Sequence, residues 1–383
     1  MRKKSPFMII VFYISAILFL VSCGAQKTRW MGSIEEVDGI IVVKNPSEPM
    51  YGEDAFILEE DLAIESKDRE DEFMFQYTPN LVVDEEENIH VLDTRAVRIF
   101  VFDKNGEFIH SYGEKGQGPE EMDYPLDIRA APHGELMVLD IYRARLNFFS
   151  QNGEHLRAFS TNQLLSMRRP VIDSKGYVIT GTVIMGDDVK TTLKKYTSDL
   201  SPVSTIATQA VETSLEPLVQ EYFETRRGTN LVWDVTCNDD IIWGKINKYE
   251  IFVHNPEGEL VRKIVRESEG IEISKKEKEE LLKYFFGDNP VPSDLSWLKF
   301  PKRYPPFIRF TCDGEGRIFV QTYEKTEDGE ADYYDVFDSE GKYIVRISLK
   351  FRPQAWKNKR LYTMEEDEDG YQVVKRYKVT WKI

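Results

Sequence analysis

Pro79-Asn80-Leu81-Val82-Val83-Asp84, Asn88-Ile89-His90-Val91-Leu92-Asp93 and Arg98-Ile99-Phe100-Val101-Phe102-Asp103-Lys104-Asn105-Gly106-Glu107-Phe108 make one unit that the chain then repeats. The second copy reads Pro125-Leu126-Asp127-Ile128, Glu135-Leu136-Met137-Val138-Leu139-Asp140 and Arg145-Leu146-Asn147-Phe148-Phe149-Ser150-Gln151-Asn152-Gly153-Glu154-His155-Leu156. Asp93 to Asp140 and Gly106 to Gly153 are both steps of 47 residues. A fixed period of that size, with several short strands per unit, marks a β-propeller.

Each unit divides into four strands. Leu81-Val82-Val83 and Ile89-His90-Val91-Leu92 are β-rich runs around an acidic turn. Ile99-Phe100-Val101-Phe102 is apolar at every position, which fits a strand buried on both faces where blades stack. Asp103-Lys104-Asn105-Gly106 then suits a type I turn, and Ser150-Gln151-Asn152-Gly153 repeats it. Ile251-Phe252-Val253-His254-Asn255-Pro256-Glu257-Gly258-Glu259-Leu260 aligns without a gap on Ile99 to Phe108. Tyr334-Asp335-Val336-Phe337-Asp338-Ser339-Glu340-Gly341 is a further copy, and Lys195-Tyr196-Thr197-Ser198-Asp199-Leu200 is a degenerate one in phase.

Five units are visible, so the chain ends must close the ring. Gly39-Ile40-Ile41-Val42-Val43 and Ala55-Phe56-Ile57-Leu58 read as strands without a unit of their own. Arg360 to Met364 and Tyr371 to Val379 read as strands without a last partner. The expectation is an all-β, six-bladed propeller of four-stranded antiparallel blades whose sixth blade takes its outer strand from the N-terminal segment. Closure of this kind leaves no open sheet edge.

Two insertions break the period, about 209–230 and 267–303. Gly258 lies 58 residues after Leu200, and Gly341 lies 83 after Gly258. In the second insertion Ser274-Lys275-Lys276-Glu277 is a capping-box pattern, followed by Leu281, Leu282, Tyr284, Phe285 and Phe286 on a short helix that Gly287 ends. Insertions in a propeller sit in loops on one face, often the binding face.

At the start, Arg2, Lys3 and Lys4 precede the apolar run Met8 to Val21, which ends in Leu20-Val21-Ser22-Cys23. The run is short for a membrane span and resembles a bacterial lipoprotein signal with its lipobox. The resemblance implies a signal peptide at 1–22, a diacylglyceryl thioether on Cys23, a lipidated tether at 23–35 and the propeller at 36–383. Losing Arg2, Lys3 and Lys4 with no acidic residue takes the net charge from −16 to −19. Such an acidic body argues against nucleic acid as a partner. Besides Cys23 there are only Cys237 and Cys312, so no disulfide framework is expected.

Gly113-Glu114-Lys115-Gly116-Gln117-Gly118-Pro119-Glu120-Glu121, leading to Tyr124-Pro125, resembles the glycine- and proline-rich connection of NHL-type repeats. More closely, the chain resembles the six-bladed β-propeller lipoproteins of gut Bacteroidetes, from the repeats to Val374-Lys375-Arg376-Tyr377-Lys378. That family's usual Gly-Pro-Gly-Glu has Glu120 here in place of its second glycine. The resemblance implies an outer-membrane lipoprotein of the cell envelope that binds or scaffolds a glycan, peptide or protein, without a cofactor. Facing towards the periplasm or the outside is left open; Gly24-Ala25-Gln26-Lys27 has none of the acidic residues that surface display favours.

Propeller topology puts the Gly-rich link on the same face as the turn between the second and third strands. Rim candidates there are Arg95, Tyr142 and Arg143, with Lys115, Glu120 and Glu121 of the link. Trp243 and Tyr323 fall at matching places and would add an aromatic mouth, with packing between blades as the alternative. Asp93 with Arg98, and Asp140 with Arg145, read as bridges bracing the turn. The competing function is a metal-dependent hydrolase or lyase with its ion on the axis. His90, His110, His133, His155 and His254 read as outer-strand or turn residues, with no repeated inner-strand position. No nucleophile elbow, phosphate loop or paired Cys set occurs, and the acidic turns at 84–87 and 365–369 lack a calcium loop's spacing, so no metal is expected.

Overall fold

The computed structural model describes residues 29–65, 75–78, 80–118, 120–162, 167–184, 190–210, 231–245, 248–268, 270–287 and 303–383. The two visible copies become blades 1 and 2. Blade 1 is Asn80–Val83, Ile89–Asp93, Arg98–Phe102 and Phe108–Tyr112, and blade 2 is Pro125–Ala131, Glu135–Asp140, Arg145–Ser150 and His155–Ser160. Blade 3 is Arg168–Ile172, Val178–Ile184, Lys190–Tyr196 and Pro202–Ala210. Blade 4 is Leu231–Val235, Ile241–Lys245, Glu250–His254 and Leu260–Arg266. Blade 5 is Arg309–Cys312, Ile318–Lys325, Asp332–Phe337 and Tyr343–Leu349. Blade 6 is Pro353–Lys357, Arg360–Glu366 and Gln372–Trp381, completed by Phe56–Glu65 from the other end of the chain. The fold is a six-bladed propeller of four-stranded antiparallel blades, closed as the sequence reading expects.

One addition was not foreseen. Ser33–Val37 and Ile40–Asn45 form a hairpin whose second strand runs parallel to the outer strand of blade 4, making that sheet six-stranded. The hairpin covers an edge that would otherwise present unpaired backbone groups. Ser33 to Glu35, within the stretch read as tether, are therefore strand.

The core lies between blades. Phe100 and Phe102 pack with Ile64, Tyr362 and Val374 of blade 6, while Ile99 faces Ile128, Leu136 and Val138 of blade 2. This two-sided burial is why the third strand carries no alternation. The turn glycines serve the same joints. A Cβ on Gly106 would lie 3.0 Å from Leu62 and 3.1 Å from Ile64, and one on Gly341 would lie 2.7 Å from Ile264. Both glycines also hold positive φ, so the turn admits the preceding blade's outer strand only without a side chain. Leu200 takes the same left-handed conformation in blade 3 and buries its side chain in the adjoining core. The capping-box helix forms at Lys275–Phe286 (α1), with Ser274 and Glu277 exchanging hydrogen bonds and Gly287 at its end.

Histidines wholly or half buried in the blades make the packing acid-sensitive. Burial lowers the pKa of His110, His155 and His254; for His254 a contact with the Gly258 carbonyl offsets part of this. The Nε2 of each is buried with no partner among the described residues, so an added proton would find no acceptor. Below about pH 6.5 the unfolded chain binds protons that the folded chain refuses, so stability falls as pH falls through that window. Urea midpoints should hold between pH 8 and about pH 7 and decline from there to pH 5; a profile flat to pH 5 would contradict the assignment.

Candidate functional site

Antiparallel strands send the links between blades, and the turns between second and third strands, to one face, here the loop face. The other turns form the opposite face. On the loop face over blades 1 and 2, two carboxylates organise the backbone. Asp93 accepts from the N–H groups of Gln76 (2.6 Å), Tyr77 (3.3 Å), Arg95 (3.0 Å) and Ala96 (2.9 Å). Asp140 accepts from Asp123 (2.7 Å), Tyr124 (3.1 Å) and Arg143 (3.2 Å). Each fully buried carboxylate therefore ties the incoming link to the turn beside it.

The expected Asp–Arg bridges do not form. Arg98 donates to Ser111 Oγ at 3.4 Å, and Arg145 donates to the carbonyls of Gly118 and Glu121 at 3.3 Å. The acid is already saturated by backbone donors, which leaves the arginine to brace other backbone.

The Gly-rich link folds back on itself. Met122 is buried in the core between blades 1 and 2 and exchanges backbone bonds with Glu114 and Gly116. Glu121 turns inward and accepts from the Gly118 N–H at 2.6 Å, against Gly116, where a Cβ would collide with its carboxylate. Glu121 thus holds the link's shape instead of facing a ligand. Arg143 is also drawn in, donating to the Gly116 carbonyl at 2.7 Å. Arg95, Lys115 and Glu120 remain exposed, with Lys115 3.5 Å from Asp123.

Tyr142 is 69% exposed, its ring stacked on Tyr124 at 4.7 Å and 28°. In the sequence Tyr124 stands only as the end of the link. Its partnership with Tyr142 requires the link and the turn of blade 2 to meet. The other aromatics do not join them. Trp243 is only 8% exposed, stacks on Phe252 at 4.4 Å and belongs to the core between blades 3 and 4. The second strand continues past it to Lys245, so its side chain points between blades and not at the mouth. Tyr323 is half-buried and stacks on Tyr304 at 5.1 Å, beside the helical insertion in blade 5, three blades away from Tyr142.

The inner strands hold a polar cluster that the sequence reading missed. Asn80 donates to Asp127, and Arg129 donates to Asp127 at 3.2 Å. Burial raises the pKa of Asp234, with Arg129 easing that rise; burial opposes the charge on Arg129, and Asp127 and Asp234 more than restore it. The signal was present: Asn80 and Asp127 stand 47 residues apart, the same place in successive units. Among the described residues, no group of three or more His, Cys, Asp or Glu is placed to hold a metal ion. His90 lies in a second strand, fully buried and 3.2 Å from Asp84, and His254 ends a third strand; neither is in an outer strand or turn. Cys237 and Cys312 are free thiols.

A family profile, DUF5128, described as a 6-bladed beta-propeller, matches residues 68–160. A stretch of 110 residues is 28% identical to part of Protein brain tumor of Drosophila melanogaster, covering 28% of this chain and 11% of that protein. Among solved structures, a Bacteroides fragilis protein named for its inferred export is similar with a TM-score of 0.56 at 11% identity, over 89% of this chain and 100% of that one. A DUF4221 member from Bacteroides vulgatus has a TM-score of 0.56 at 13% identity, over 85% of this chain and 99% of that one. At these identities the likeness is one of fold.

Proposed function

We propose that this chain is an exported, lipid-anchored binding module whose loop face over blades 1 and 2 holds a glycan or a peptide, without catalysis. The observation that carries this reading is the Tyr142 ring, exposed yet fixed in orientation by Tyr124. A pre-stacked aromatic offers a flat apolar surface to a sugar ring or side chain with little ordering left to lose. Lys115 and Asp123 lie together in the link beside Tyr124, and Arg95 is exposed on the same face in the neighbouring blade; these supply polar recognition. In a panel of polysaccharides and peptides, Tyr142→Ala is expected to weaken binding by about tenfold or more, the loss typical of an aromatic anchor. Unchanged affinity would move the site off this face.

The axial carboxylates Asp127 and Asp234 give a metal-dependent hydrolase or lyase its one foothold. Arg129 already supplies their counter-charge, which weighs against a divalent ion between them. Calorimetric titration with calcium or zinc that shows binding abolished by Asp127→Asn would favour that second reading.

Lipidation rests on Arg2 to Cys23, which lies outside the described residues. Palmitate labelling is expected to disappear in Cys23→Ala, and that variant should leave the membrane fraction. Labelling that persists without Cys23 would refute the anchor.

A further inference from the structure

The face opposite Tyr142 carries its own cleft, where the described chain begins. Arg29 and Trp30 line it with Glu315, Arg317, Ser339 and Lys342, around an open volume of about 700 Å³. Glu315 and Arg317 belong to the turn between the first and second strands of blade 5, and Asp338 to Lys342 to the turn between its third and fourth. Both turns lie on the face away from the Gly-rich link. The entry of the chain is locked there. Trp30 Nε1 donates to Asn45 at 2.9 Å, and Asn45 donates to the Gly341 carbonyl at 2.9 Å and accepts from the Tyr343 N–H at 2.7 Å. Lys342 lies 5.8 Å over the Trp30 ring.

Only five residues lie between Cys23 and Arg29, a span of six residue steps. Even fully extended, a segment of that length reaches about 20 Å. An acyl group on Cys23 would therefore hold the Trp30 cleft close to the lipid. A second observation points the same way. Exposed Met31 directly follows Trp30, and exposed Ile383 lines the cleft. In a processed chain of net charge −19, exposed Arg29 and Lys359 on this face soften the repulsion from anionic headgroups.

We infer that the turn face around Trp30 lies against the lipid bilayer and that the loop face bearing Tyr142 points away from it. The inference rests on the lipid anchor at Cys23 and adds the orientation that a short tether enforces. The bilayer is the committed occupant of this face. A short tether on the binding side would bury the Tyr142 shelf against lipid; entry on the opposite side leaves it open to ligands.

Two reporters in the same blade test it. Ser339→Cys labels the turn face, and Glu327→Cys labels the loop face, in the turn between the second and third strands of blade 5. Both are made with Cys237→Ser and Cys312→Ala, so that the introduced thiol is the one labelled. The full-length acylated protein, carrying a fluorophore at either position, is reconstituted on phosphatidylethanolamine–phosphatidylglycerol vesicles with nitroxide-headgroup lipid. The fluorophore at position 339 is expected to be quenched several-fold more than the one at position 327. Equal quenching, stronger quenching at 327, or protection of 339 only by an added protein would overturn the orientation. Loss of the anchor itself reads separately: the protein would lack acyl mass and fail to float with the vesicles.

Discussion

Deleting residues 29–65 is expected to abolish cooperative folding outright instead of lowering the melting temperature. The deletion removes the outer strand of blade 6, paired with Gln372–Trp381 from Val373↔Glu65 to Trp381↔Phe56. It also strips Ile64 and Leu62 from the joint with blade 1, and Phe56 and Leu58 from the joint with blade 5. Buried Ile64 contributes about 1.5–3 kcal/mol and each of the three half-buried side chains roughly half that, together on the order of 4–8 kcal/mol. That approaches the whole stability of a typical protein, roughly 5–15 kcal/mol, before the reopened edge is counted. Circular dichroism and calorimetry should find no sharp transition in the deletion, whereas Ile34→Ser, on the exposed hairpin, should melt like the parent. A deletion that still melts sharply near the parent temperature would show that the ring is closed by other contacts.

Asp335→Ala is expected to be the most damaging single substitution in the interface of blades 4 and 5. Asp335 is fully buried and accepts from Tyr249 of blade 4 at 2.6 Å and from Tyr343 at 2.7 Å. Arg266, at the end of the outer strand of blade 4, pairs with it at 3.0 Å and lies over both tyrosine rings. Arg266 also donates to the Ser47 carbonyl at 3.2 Å, so the N-terminal segment joins the same knot. Burial, then the nearby carboxylate, raises both tyrosine pKa values, keeping them neutral donors. Removing the carboxylate leaves a buried guanidinium uncompensated, which costs about 3–5 kcal/mol. Denaturant titration should find that loss in Asp335→Ala and much of it restored in Asp335→Leu with Arg266→Met, where no charge is stranded. A loss below about 1 kcal/mol in the single variant would mean that water satisfies Arg266.

Neighbouring residues sufficed for the blades. The 47-residue step, the Asp–Asn–Gly turns, the unbroken apolar third strand and the Ser274–Glu277 box each depend on chemistry within a few positions, or on its repetition. The need for a sixth blade followed from an unpaired strand at each end, because an open edge is disfavoured wherever it lies. The sequence also placed the Gly-rich link and the turns between second and third strands on one face and picked out Tyr142 there, the most exposed aromatic among the described residues.

The rest depended on partners far apart in the chain. Asn45 meets Gly341 at a separation of 296 residues, and no local pattern says which blade edge a spare N-terminal hairpin will cover. Trp243 and Tyr142 occupy comparable stretches of their units, yet one packs against blade 3 and the other rests on Tyr124 in the open. Asp93 and Asp140 carry the right spacing to their arginines and instead spend their oxygens on backbone amides brought in by the preceding link. The axial cluster draws single residues from separate inner strands, with Asp127 and Arg129 on blade 2 and Asp234 on blade 4. Period and turn chemistry are local free energies and are written in adjacent residues. Which side chains meet across the ring is set only when all six blades close.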